Sequence, residues 1–170
     1  MSLRGGIGLP ELPIEDGREY RLGIMGGTFD PIHYGHLVTA EQARESLDLD
    51  AVLFMPAGSP AFKLDKPVTP AEDRYAMTVL ATAANPAFLA SRFEIDREGV
   101  TYTADTLRAL REFYPPQVKL YFITGADAII DIVTWHHADE IAELATFIAA
   151  TRPGFDIDTA RARIKESGLP

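Results

Sequence analysis

Residues 26–36 have the clearest potential for chemistry in this chain. They read Gly-Gly-Thr-Phe-Asp-Pro-Ile-His-Tyr-Gly-His and join a short apolar run to a helical pattern. Glycines let the backbone approach a ligand closely, and free amides at a helix start favour an anion. His33 and His36 are three residues apart, so at a helix start both imidazoles face one side. This spacing indicates a pair of donors for one anionic ligand.

The same residues have other interpretations. A glycine turn with capping or packing histidines needs no ligand, and for one histidine alone it is the favoured reading. His-x-x-His also occurs in metal sites, but no carboxylate or third histidine follows at helical spacing, so we predict no protein metal site. A Walker loop is excluded because no Gly-Lys-Ser/Thr follows. The dinucleotide-binding fingerprint is excluded because the segment lacks the third glycine and the downstream acidic residue of that motif.

Composition bounds the class of protein. The chain has 170 residues, 46% hydrophobic and 24% charged, which fits one globular domain. Its net charge of −9 disfavours nucleic-acid binding, so a phosphate site must be built locally from amides and a few cations. No apolar run reaches the roughly 18 residues of a membrane span, and no signal peptide is visible. The absence of cysteine is compatible with a cytoplasmic location, and a homo-oligomer remains open.

Apolar runs alternate with helical patterns along the chain. We predict strands at residues 22–25, 51–55, 88–90, 118–123 and 147–150, and helices at 35–47, 71–84, 105–114, 139–144 and 156–166. Strands separated by helices indicate an α/β fold, a Rossmann-like, doubly wound parallel sheet with helices on both faces. Residues 21–170 would form this single domain. Residues 1–20, broken by glycine and proline, would form a flexible tail.

Residues 71–84 show the clearest helical periodicity. The predicted buried face has the spacing i, i+3, i+4, i+7 and i+8, and consists of Ala76, Val79, Leu80, Ala83 and Ala84. In parallel sheets ligands bind beyond the carboxyl ends of the strands, near the switch point. The loops after Met25, Met55 and Ile123 are therefore where we expect the site.

Residues 26–36 resemble the signature of the adenylyl- and cytidylyltransferase superfamily, a glycine-rich strand end followed by His/Thr-x-Gly-His. Further segments resemble bacterial nicotinate-mononucleotide adenylyltransferases: Thr-Tyr-Thr-Ala-Asp-Thr-Leu at 101–107, Gly-Ala-Asp-Ala at 125–128, Thr-Trp-His at 134–136, and the loop 56–63 with Arg74. The resemblance covers residues 21–153. It implies transfer of AMP from ATP to nicotinate mononucleotide, giving nicotinate adenine dinucleotide and pyrophosphate in NAD biosynthesis, with Mg²⁺ arriving on ATP.

The resemblance also implies a role for each matching residue. His33 and His36 would be the catalytic pair that binds the ATP phosphates. The other ATP-binding residues would be Gly26, Gly27, Thr28 and Phe29 through their backbone, and Gly125 and Asp127 at the ribose. The substrate-binding residues would be Lys63 at the acceptor phosphate, Thr103 at the nicotinate carboxylate, Trp135 on the pyridine ring and His136 through its backbone.

Several of these residues have simpler interpretations. Thr103 could cap the helix that begins near residue 104, and Asp127 could be a helix-start carboxylate. Lys63 could be a solvated charge, and a lone Trp135 could belong to the core. For Arg74 we favour a surface ion pair over contact with a ligand.

One part of the family pattern is missing. Its second signature, Ile-Ser-Ser/Thr followed by an arginine, does not occur after residue 150, so the resemblance predicts a longer natural protein. Three other functions stay open. They are adenylyl transfer to nicotinamide mononucleotide, adenylyl transfer to phosphopantetheine (whose enzymes carry Thr where His33 stands), and a non-catalytic nucleotide-binding regulator.

Overall fold

The computed structural model describes residues 8–60, 67–125 and 138–151, together with residues 162, 165 and 166. The strands are β1 (Tyr20–Gly27), β2 (Ala51–Pro56), β3 (Ser59–Pro60), β4 (Phe88–Ala90), β5 (Val100–Thr101), β6 (Val118–Gly125) and β7 (Thr146–Ala150). The helices are α1 (Tyr34–Ser46), α2 (Ala71–Thr82), α3 (Thr103–Phe113) and α4 (Ala138–Leu144). The predicted last helix lies mostly outside the described residues. No helix of the described part is long and apolar enough to cross a membrane.

The main sheet is parallel throughout, with the strand order β4-β2-β1-β6-β7. The chain moves outward from β1 to β2 and β4, then returns to place β6 on the other side of β1. The switch point therefore lies between β1 and β6, where a ligand crevice is expected. A separate pair, β3 with β5, brings the loop after β2 beside the start of α3.

Both faces of the sheet are covered, which confirms the predicted doubly wound fold. On one face Leu22 and Ile24 of β1 share a buried cluster with Leu107 of α3. On the other face Met25 of β1 lies in a cluster with Ala40 of α1. Central strands buried on both sides have no polar alternation, which is why they read as continuous apolar runs in the sequence.

The buried face of α2 is not the predicted one. Val79 is 39% exposed and Leu80 78% exposed, while Arg74, Thr78 and Thr82 are buried. The hydroxyls of Thr78 and Thr82 donate to the carbonyls four residues earlier, at 2.8 and 2.9 Å. Because these bonds satisfy the polar atoms inside the helix, the threonines pack as small apolar residues and the prediction from periodicity is wrong here.

The described part of the N-terminal segment contacts the core of the domain. Residues 8–19 contain no helix or strand, but Leu9, Leu12 and Ile14 pack against the core. The hydroxyl of Tyr114 donates to the carbonyl of Pro10 at 2.7 Å. The glycines and prolines thus break regular structure without preventing the apolar residues between them from packing.

Candidate active site

A cleft of about 530 Å³ opens at the carboxyl ends of β1 and β6, at the switch point of the sheet. Its walls include Gly26 from β1, Gly125 from β6, and His33 and His36 at the start of α1. The volume lies in the range of small-molecule sites. The structure therefore brings together, at the expected end of the sheet, four residues that the sequence assigned to nucleotide binding.

The two histidines form a reciprocal cap at the N-terminus of α1. The Nδ1 atom of His33 accepts from the N–H of Gly35, and the Nδ1 atom of His36 accepts from the N–H of His33, each at 3.1 Å. The ring centroids are 3.9 Å apart. Because Nδ1 is the acceptor in both rings, each neutral imidazole carries its proton on Nε2. The capping interpretation is confirmed: both Nδ1 atoms are used at the start of α1, and both rings line the cleft.

The first turn of α1 suits an anion in a second way. It contains no acidic residue, whereas the first turn of α2 contains Glu72 and Asp73. The N-terminal end of a helix carries a partial positive charge that carboxylates normally balance. At α1 two histidine donors and this uncompensated charge face the same cleft, so the position favours phosphate.

Phe29 supports the histidine pair from below. It is 3% exposed, and its ring meets the ring of His36 edge-on at a centroid distance of 5.0 Å. Its backbone has φ +49°, a left-handed conformation that costs a non-glycine residue about 1 kcal/mol or more. Packing between His36 and Phe54 holds it there, so its side chain supports the site while its backbone forms the turn.

The small residues at the strand ends keep the cleft open. A Cβ on Gly125 would meet no atom within 4 Å, and one on Gly26 would only reach ordinary contact with Phe122 at 3.5 Å. Packing alone thus does not require glycine at either position. Gly27 and Thr28 lie next to the cleft but do not line it. Their carbonyls accept hydrogen bonds from the Ala57 N–H and the Arg74 guanidinium.

Arg74 is not a surface residue, and the expected ion pair is wrong. The side chain is 1% exposed, and its guanidinium donates to the carbonyls of Thr28, Ala57, Gly58 and Thr69 at 2.7 to 3.0 Å. Burial lowers the pKa of this group, yet a guanidinium stays protonated in proteins. Arg74 therefore acts inside the protein as a cation bound to backbone oxygens.

Thr103 is the first residue of α3, and the predicted capping role is wrong. The N-cap is Tyr102, which makes no side-chain capping bond. Below this helix start lies Glu94, which is 8% exposed and accepts from the Thr106 hydroxyl at 2.6 Å. Burial raises the pKa of Glu94 to about 7. The carboxyl group is thus held against α3, the helix that begins at Thr103, and Thr103 itself is not among the residues that line the cleft.

Four predicted site residues lie outside the described residues: Lys63, Asp127, Trp135 and His136. Seven cleft residues were not predicted, and the three with polar side chains are Thr39 on α1, Thr124 on β6 and Thr151. Thr39 follows His36 by three residues, so the helical spacing that paired the histidines also indicates it. The burial of Arg74 and Glu94 had no such signal, because it depends on tertiary contacts. Among the described residues no group of three His, Asp or Glu side chains could hold a metal ion.

Comparisons with known proteins agree with this geometry. A family model described as cytidylyltransferase-like matches residues 24–167. A protein of Thermoanaerobacter sp. (strain X514), named probable nicotinate-nucleotide adenylyltransferase, is 58% identical over 139 residues, 82% of this chain and 66% of its own. A protein of the same name from Moorella thermoacetica is 59% identical over 150 residues, 88% of this chain and 67% of its own. The chain thus spans about two thirds of the length of these relatives.

The fold has close counterparts among solved structures. One is the Plasmodium falciparum nicotinic acid mononucleotide adenylyltransferase complexed with NaAD, which superposes with a TM-score of 0.72. The sequences are 22% identical, and the match covers 85% of this chain and 71% of the other. At that identity the likeness establishes the shared fold.

Proposed function

The chain belongs to the cytidylyltransferase-like family, and on that premise we propose that it moves AMP from ATP to the phosphate of nicotinate mononucleotide. The products would be nicotinate adenine dinucleotide and pyrophosphate, in NAD biosynthesis. The names of the relatives at 58% and 59% identity support this choice of acceptor. The observation that carries the proposal is the His33–His36 pair, which caps α1 through both Nδ1 atoms and lines the cleft.

The chemistry fits what the cleft offers. The acceptor phosphate is already ionised at pH 7, so its oxygen attacks the α-phosphorus without a protein base. The bond from the α-phosphorus to the bridging oxygen breaks, and pyrophosphate leaves with the electron pair. Such a reaction needs alignment and charge stabilisation rather than a nucleophilic side chain. His33, His36 and the end of α1 would bind the transferred and departing phosphates.

The remaining residues complete the proposal. Gly125 and Asp127 would hold the ribose of ATP, and Lys63 would bind the acceptor phosphate. Thr103 would donate to the nicotinate carboxylate, and Trp135 would stack on the pyridine ring with the backbone of His136 beside it. Mg²⁺ would arrive on the ATP phosphates, because this ion keeps water and phosphate oxygens as ligands. The proposal includes a cytoplasmic setting and leaves the oligomeric state open.

A pyrophosphate-release assay tests the proposal with three acceptors: nicotinate mononucleotide, nicotinamide mononucleotide and phosphopantetheine. We expect the first to give the highest kcat/KM. Preference for another acceptor would refute the assignment of substrate. ATP binding without pyrophosphate release from any acceptor would instead favour a nucleotide-binding regulator.

Substitutions in α1 test the catalytic role of the histidines. We expect His36→Ala to lower kcat about 10²- to 10³-fold, the typical loss of one donor to a transition-state oxyanion, while ATP still binds. Val38→Ala, on the same helix and 53% exposed, is the matched control and should keep the wild-type rate. An unchanged rate in His36→Ala would remove His36 from the mechanism.

A further inference from the structure

Arg74 joins three segments that are distant in sequence. Its Nη1 donates to the carbonyls of Thr28 and Ala57, both at 2.7 Å. Its Nη2 donates to Gly58 at 3.0 Å, and its Nε to Thr69 at 2.8 Å. Thr28 belongs to the nucleotide loop, defined here as residues 28–33 after β1. Ala57 and Gly58 belong to the acceptor loop, residues 57–60 after β2, which precedes Lys63 in the chain.

Two further hydrogen bonds complete the connection, one from the acceptor loop to the end of β1 and one from the residues before α2 to the nucleotide loop. The N–H of Ala57 donates to the carbonyl of Gly27 at 2.8 Å. The carboxylate of Asp30 accepts from the N–H of Thr69 at 2.9 Å. The nucleotide loop is therefore held against the acceptor loop and the start of α2, with the guanidinium at the centre.

The bonds to Arg74 also set the direction of backbone donors. In a planar trans peptide the carbonyl and the following N–H point in opposite directions. A Thr28 carbonyl turned towards Arg74 therefore turns the Phe29 N–H away from it. The same holds for the N–H group of Gly58, which follows the bound carbonyl of Ala57. Amides arranged in this way can bind phosphate oxygens.

From these contacts we propose that Arg74 is a positioning residue for the transfer reaction: it holds the nucleotide loop and the acceptor loop in one relative geometry. The inference rests on the proposed function, since it assumes that the two loops carry the two reactants. In-line transfer depends on the separation and angle of the attacking oxygen and the α-phosphorus, and a misplacement of about 1 Å can cost about 10²-fold in rate. Lysine cannot replace the guanidinium, because one nitrogen cannot reach carbonyls on three segments.

The test uses Arg74→Lys and Arg74→Met, with Arg111→Lys as the matched control. Arg111 also donates to two carbonyls, those of Leu144 and Val118, at 2.7 and 2.9 Å. Val118 is the first residue of β6, so this group lies at the end of the sheet away from the cleft. Steady-state constants are measured for both substrates at a temperature where circular dichroism reports every variant folded.

We expect both Arg74 variants to lose at least about tenfold in kcat, with KM raised for ATP and for the acceptor, as misalignment predicts. Arg111→Lys should lose thermal stability but keep kcat and both KM values within about twofold. A kcat retained in Arg74→Lys, or an equal loss in Arg111→Lys, would overturn the proposal. Turnover by the wild-type protein decides the proposed function separately.

Asp30→Ala keeps the proposal testable if the Arg74 variants do not fold. Asp30 is exposed, and its replacement removes the bond to Thr69 between the same segments. We expect a smaller loss of kcat, also with KM raised for both substrates. Unchanged constants in a folded Asp30→Ala protein would contradict the coupling of the two loops.

Discussion

Gly35 allows the His33 ring to fold back over the first turn of α1. A Cβ at this position would lie 2.9 Å from Cε1 and 3.0 Å from Nδ1 of that ring. We therefore expect Gly35→Ala to displace the imidazole and lower kcat about 10²-fold, the cost of a misplaced catalytic group. The fold should remain, because alanine favours a helix over glycine. Pyrophosphate release and thermal unfolding measure the two effects, and a wild-type rate would contradict the role given to the ring.

Glu94 makes stability depend on pH. Burial raises its pKa from 4.5 to about 7, with Thr106, Thr101 and Arg97 as the groups that oppose the shift. Between these values the unfolded chain has lost the proton that the folded protein keeps, so stability falls as pH rises through this window. Below pH 4.5 the Glu94 carboxyl is protonated in both the folded and the unfolded protein, so it no longer makes stability depend on pH.

Glu94→Gln is the variant that isolates this effect, because the amide can still accept from Thr106. Between pH 4.5 and 7 we expect the free energy of unfolding of the wild type to fall by about 3 kcal/mol because of Glu94. We expect no such fall in Glu94→Gln. Urea unfolding of both proteins across this range gives the difference, in which contributions from the histidines cancel. Parallel pH profiles would show that the Glu94 carboxyl does not titrate in this window.

At the residue scale the sequence predicts the polar groups that face the cleft better than those beneath it. His33, His36 and Gly26 follow from residue types and spacing, because ligand chemistry restricts which residues can serve, whereas Gly125 follows from the family resemblance. Arg74 looked like a surface cation because a charged residue on a helix is usually solvated. Its burial depends on carbonyls from three other segments, and no local pattern encodes them.

At the element scale the five strands of the main sheet and their parallel direction were predictable, because strands buried on both faces are apolar runs, but their order in the sheet was not predicted. The pair β3 and β5 was not, since strands of two residues have no periodicity. The orientation of α2 was predicted wrongly for a related reason. Periodicity counts apolar side chains and does not see that a threonine hydroxyl can be satisfied within its own helix.

The orientation of α2 can be tested by placing a charge on each face. Leu80→Glu alters a side chain that is 78% exposed, and we expect a change within about 0.5 kcal/mol. Met77→Glu places a carboxylate against the core cluster that Met77 contacts, and we expect a loss of at least about 2 kcal/mol. Urea unfolding compares the two variants, and equal losses of stability would contradict the structure.

The same variant tests whether the exposed face of α2 is covered by a second copy of the chain. If Leu80→Glu reduces the molecular mass in size-exclusion chromatography, the exposed face is a contact between copies.

At the scale of the whole molecule, the net charge and the volume of the cleft together favour a small phosphorylated ligand over a nucleic acid. The protein carries a net charge of −9, which repels a polyanion over its whole surface. The cleft of about 530 Å³ admits a small phosphorylated molecule and has its donors at the end of α1. We therefore expect a nucleotide, rather than a duplex, to bind in the cleft.

Thermal unfolding with ATP and with duplex DNA tests this selection. At about one hundred times its Kd, ATP should stabilise the folded protein by about 2.7 kcal/mol. For a chain of this length that corresponds to a rise in Tm of about 5–10 °C. Duplex DNA at the same phosphate concentration and low salt should shift Tm by less than about 1 °C, because the net charge opposes it. A comparable rise with DNA would mean that an outer surface, rather than the cleft between β1 and β6, binds phosphate.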